Sequence, residues 1–223
     1  VLDRERFERL WGRCCAGGGA AGAGEAFARV AAGYAEPHRR YHTEAHILHC
    51  LEQFDLAAAE VGEPDALELA VWFHDVIYEP DAPDNERRSA DLFLELAGPG
   101  AEPALRERVE RLIMATVHRA PPAGPDAGYM VDIDLSSFGL PWERFLRDSV
   151  AVREEFPHIP DAEFYARQIE FLGMLLARPR FCFTEFFRAR HERRARANIR
   201  RYLDSLLARG YRSASGAEPL SSV

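Results

Sequence analysis

The segment YHTEAHILHC places His42, His46 and His49 four and three residues apart, near one side of a helix. Ile47, Leu51, Phe54, Ala58 and Val61 define the apolar arc of that helix. At about 100° per residue, His46 falls roughly 90° from the centre of the arc and His49 roughly 150°. His46 therefore sits at the edge of the buried face with Cys50 beside it, and His49 points more to solvent. A single histidine in such a place is ordinarily a hydrogen-bonded interior side chain.

A second segment, ELAVWFHDVIYEP, puts His74 and Asp75 into a stretch that is apolar on nearly every side. A helix of that kind is buried, and a buried carboxylate costs several kcal/mol unless it is paired or binds a cation. Adjacent residues point about 100° apart, so one salt bridge rarely serves both. A divalent ion with imidazole and carboxylate ligands would satisfy them together, as would a buried His–Asp pair. A third segment, MVDIDLSSFG, carries Asp132 and Asp134 two residues apart. Asp132 can be read as the N-cap of a helix starting at Ile133. Asp134 would then project from the first turn, within reach of a metal. Histidine and carboxylate donors without cysteine suit manganese, iron, cobalt, nickel, zinc or magnesium.

The order H…HD…D resembles the HD-domain superfamily of metal-dependent phosphohydrolases. YHTEAHI, WFHDVIYEP, DNERRSA, ATVHRA, DIDLSSFG and a late ARANI are similar, in that order, to one bacterial branch of predicted HD phosphohydrolases, over about residues 38–203. The resemblance implies one divalent ion held by His46, His74, Asp75 and Asp134, with His42 the alternative to His46 and Asp132 the alternative to Asp134. It implies hydrolysis of a phosphomonoester or nucleotide by a metal-activated water, with Asp75 and Glu79 in the catalytic set and Glu79 handling protons. It places His118 in the substrate pocket. Where two-metal relatives carry a His-Glu pair, this chain has Asn85-Glu86, which argues against a dinuclear, oxygen-using centre. Phosphate charge calls for a cation, with Arg39, Arg40, Arg88, Arg119, Arg153 and Arg167 as candidates. Arg153 in VREEF and Arg167 in YARQIEFL stand at family-like positions and are expected to bind substrate. The competing function is a metal- or nucleotide-binding sensor with little turnover.

These residues need helices to position them. Helical patterning covers 3–15, 25–34, a stretch capped by Thr43 and running to about Val61, and one opened by Pro64 and Asp65 that carries the His-Asp pair. Further helices start at Asp84 or Asn85 and end near Gly98, and run from Pro103 to near His118. Residues 17–24 and 120–128 are expected to be loops. Later helices span about 141–156, 161–177 and 184–208. Strand-like alternation is scarce, so the expected fold is all-α, a single HD-type helical bundle over 1–211 with a disordered tail at 212–223.

The chain has 223 residues and a net charge of -8. All 28 basic residues are arginine. Without lysine there is no Walker A loop and no Schiff-base chemistry. The acidity disfavours nucleic-acid binding, and in RARHERRARANIRRYL the apolar side formed by Ile199, Leu203, Leu206 and Leu207 makes the arginines a solvated helix face. The expected partner is a small phosphorylated molecule, nucleotides included, and a homodimer is the general expectation for a small helical enzyme. Cys14, Cys15, Cys50 and Cys182 form no C-x-x-C pair. With no membrane-length apolar run and no leader-like start, the expected location is the cytoplasm.

Overall fold

The computed structural model describes residues 1–15 and 21–213. Within them the chain is helical, with no strand. No helix among the described residues is long and apolar enough to cross a membrane. The helices gather into two compact units, residues 1–134 and 135–223. Residues 17–20 of the expected loop lie outside the described residues, as does most of the expected tail, while Ala23 and Gly24, expected in that loop, already belong to a helix.

The first unit contains α1 (Arg4–Cys14), α2 (Ala23–Tyr34), α3 (Glu44–Ala57), α4 (Pro64–Phe73), α5 (Asn85–Ala97), α6 (Pro103–Ala115) and α7 (Pro125–Asp134). α4 is its centre: every residue from Ala66 to Phe73 is buried, as its apolar sequence requires. Glu68 is tolerated there because Arg6 donates to it at 2.6 Å. Phe7 of α1 packs edge-on against Trp72, and Phe93 of α5 against Phe73. Thr43 caps α3 by accepting from the Ala45 amide.

α4 stops at Phe73, so the expected helix through His74 and Asp75 is shorter than the pattern suggested. At this end the Val71 carbonyl meets His74 Nδ1 and the Trp72 carbonyl accepts from the Tyr34 hydroxyl, and the turn that follows is held by Arg39, whose side chain is completely buried. Its guanidinium donates to the carbonyls of Asp75 at 2.6 Å, Val76 at 2.9 Å and His42 at 3.1 Å. The Asp75 and Val76 carbonyls are thereby engaged outside any continuing helix, and the His42 carbonyl ties the start of α3 to the same guanidinium. Gly33 of α2 lies against the same turn: a Cβ there would stand 2.4 Å from the Val76 carbonyl oxygen.

α7 corrects the reading of the third segment. The expected loop at 120–128 gives way to helix at Pro125, and Asp132 and Asp134 lie in the last turn of α7, not at the start of a new helix. Asp126 anchors its beginning by accepting from the amides of Gly62 and Glu63. Residues 127–133 are all buried, so this helix has no polar face to mark its period.

The second unit holds a 3-10 segment (Leu135–Gly139), α8 (Trp142–Glu154), α9 (Asp161–Ala177) and α10 (Glu185–Phe187), which continues through a π turn (Arg188–Glu192) into α11 (Arg193–Ala208). Asn198 of α11 donates to the carbonyls of Phe138 and Leu140, both at 2.8 Å. Ile199, Leu203 and Leu206 are buried as the amphipathic pattern required.

Candidate metal centre

Three segments of the first unit deliver the site. His46 comes from the first turn of α3, His74 and Asp75 from the turn ending α4, and Asp134 from the last residue of α7. His46 Nε2 lies 3.3 Å from His74 Nε2, 3.5 Å from Asp75 Oδ2 and 3.4 Å from Asp134 Oδ1. His74 Nε2 lies 3.1 Å from Asp75 Oδ2 and 3.6 Å from Asp134 Oδ1. Ligands about 2.1 Å from one ion stand roughly 3.0 Å apart in an octahedron and roughly 3.4 Å apart in a tetrahedron. The five separations match the edges of such a polyhedron. Of the two aspartates in D-x-D, Asp134 is the one that reaches the histidines.

The donors are also prepared for a cation. His74 Nδ1 is 3.0 Å from the Val71 carbonyl, which fixes the proton on Nδ1 and leaves Nε2 as the electron-pair donor. Asp134 uses its second oxygen, Oδ2, to accept from His118 Nε2 at 2.8 Å. Burial alone would push both imidazoles toward neutrality and both carboxyls upward. The close pairing outweighs burial. His46 and His74 are held well above the usual histidine range, and Asp75 and Asp134 well below the usual carboxylate range. Positive charge is thus favoured at the centre of the group. The histidine side chains are 2% and 1% exposed, against 16% for Asp75 and 15% for Asp134. Solvent reaches the group from the carboxylate side.

A fifth donor, not anticipated as a ligand, lies with these. Cys50 is fully buried, and the donor atoms of His46, Cys50, His74 and Asp134 all lie within 4.8 Å of one another. This buried group can hold a metal ion. Helical i,i+4 spacing brings Cys50 beside His46, but a single cysteine on an apolar face reads as core.

The remaining expected residues fall in different places. His118 is present, but its Nε2 is engaged by Asp134; it follows α6 with φ of 59°, a left-handed conformation that aims the ring at α7. His42 stacks on Tyr78 at 4.1 Å between ring centres and lies 6.0 Å from the His46 ring. Glu79 is exposed, and its backbone is tied to the Asn85 side chain. Glu86, read only as a departure from a two-metal pattern, is half-buried. Burial raises its carboxyl, with Asp75 and Asp134 adding to the effect. Arg39 serves the turn and is not available to phosphate. Arg153 and Arg167 belong to the second unit. Arg153 donates to Asp161 and to the carbonyls of Phe156 and Ile159, and lies over the Phe164 ring. Arg167 pairs with Glu163 on an exposed face. Arg88 and Arg119 are exposed in the first unit.

Compared with known proteins, the chain matches no family model, no curated protein and no solved structure.

Proposed function

We propose that this protein is a metal-dependent phosphohydrolase of the HD-domain type, acting on a phosphomonoester or a nucleotide. The observation that carries the reading is the convergence of His46, His74, Asp75 and Asp134 at ligand-polyhedron spacing, with the opening on the carboxylate side. A bound divalent ion supplies Lewis acidity toward a phosphoryl oxygen and a more acidic water. The chain's own residues do the rest. Arg39 and the Val71 carbonyl hold the His-Asp turn in one geometry. His118 holds Asp134 in the orientation that presents Oδ1 inward. Glu86, half-buried in the first turn of α5 with its carboxyl raised by burial, is the candidate to protonate a leaving oxygen. Arg88 and Arg119 are the candidates for the outer phosphate charge.

The test is elemental analysis of protein purified without chelator or nickel resin, beside Asp75→Ala. About one divalent ion per chain is expected in the native protein and none in the variant, with helical content retained. The loaded protein is then screened against phosphomonoesters and nucleotides. A retained ion with no turnover across that panel would replace hydrolysis by a binding or sensing role.

A further inference from the structure

Cys50 Sγ lies 3.7 Å from His46 Nε2 and 3.9 Å from Nδ1. The thiol is completely buried, on the histidine side of the group and away from its opening. An imidazole and a thiol one helical turn apart lie within 4.8 Å of two further donors, His74 at the end of α4 and Asp134 at the end of α7, and form with them a mixed nitrogen, sulfur and oxygen set. A sulfur about 2.3 Å and a nitrogen about 2.1 Å from one ion stand roughly 3.6 Å apart at a tetrahedral angle and roughly 4.4 Å apart when opposite. The near-equal distances to the two ring nitrogens place the sulfur beside the imidazole, so ligation requires Cys50 to turn to a second side-chain rotamer that swings the sulfur toward Nε2.

We propose that Cys50 ligates the ion through its sulfur, and that this ligand biases the centre toward zinc, cobalt or iron and against magnesium. The proposal rests on the reading of the group as a metal centre. On binding, the S–H bond breaks, a sulfur–metal bond forms and the proton passes to solvent; no electron is transferred. Thiolate is a soft donor, whereas magnesium takes oxygen ligands, so an inward sulfur penalises magnesium.

Cobalt(II) alone is the probe. Native protein loaded with cobalt is expected to show a near-ultraviolet sulfur-to-cobalt charge-transfer band. Cys50→Ser should still take up cobalt, at least about tenfold more weakly and without the band. Calorimetry in buffers of different ionisation enthalpy should register one proton fewer released by the variant. Should the variant fold poorly, X-ray absorption at the zinc edge of the native protein gives the same answer: a sulfur neighbour at about 2.3 Å is expected. Cobalt bound without the band, or a band that survives Cys50→Ser, overturns the proposal while leaving the metal centre intact. No cobalt bound by the native protein overturns both.

Discussion

His118 Nε2 stands 2.8 Å from Asp134 Oδ2, while Oδ1 of the same carboxylate stands 3.4 Å from His46 Nε2. One aspartate thus faces two ways, and His118, expected in the substrate pocket, is placed to orient a candidate metal ligand. Loss of an orienting partner commonly weakens metal affinity 10- to 100-fold. His118→Ala is therefore expected to weaken zinc binding by about that factor. A competition titration against a chromophoric chelator measures it, and circular dichroism should show unchanged helix content.

Arg39 is expected to matter for folding before chemistry. Its buried guanidinium satisfies three carbonyls and lies over the rings of Tyr34 and Tyr78. Arg39→Met leaves those carbonyls without a donor, a loss of about 3 kcal/mol or more. Denaturant unfolding should show that loss in the ion-free protein as well as in the loaded one. A change confined to the loaded form would contradict a role in holding the turn.

The ion-free protein should have a stability optimum in mildly acidic solution. Asp75 and Asp134 have depressed pKa values in the fold, so their contribution is present above the unfolded value of about 3.9 and is lost as pH falls through the folded values. His46 and His74 have raised values, so theirs is complete below about 6.5 and is lost as pH rises through the folded values. Unfolding midpoints of chelator-treated protein should fall on either side of that window. Ion affinity should rise with pH on the alkaline side, because ligation needs neutral imidazoles.

Glu79 and Glu86 make opposite predictions for turnover. Glu86→Gln is expected to slow hydrolysis by about 100-fold or more without loss of the ion. Glu79→Gln, altering an exposed side chain, should leave the rate within about twofold. Steady-state kinetics at saturating metal, with ion content checked, separates them. The reverse ranking would return the proton-handling role to Glu79.

Much of this centre was legible in the chain itself, and the reason is energetic. His74 and Asp75 at the end of the apolar run that forms α4 required compensation, and His46 at the edge of an apolar arc was placed to supply it. The helices followed from their caps and periods, α9 to the residue. α7 did not, because a helix buried on all sides shows no amphipathic period. Cys50 is placed beside His46 by helical spacing, but it reads as a core thiol until the fold brings His74 and Asp134 to the pair. Arg39 was one arginine among 28, and only the fold shows which carbonyls it meets. Local ion pairs occupy Arg153 and Arg167, a use that similarity of position does not reveal.

The contact between Gly33 and the Val76 carbonyl carries a consequence for how this protein tolerates change. Alanine is the better helix former, and in the middle of most helices it would replace glycine with a gain. At position 33 its methyl group would strike the carbonyl that Arg39 also grips. The turn bearing His74 and Asp75 would have to give way. A saturation library scored for ion content should therefore show a position with no chemistry of its own that rejects every side chain, more than 40 residues before the aspartate it protects.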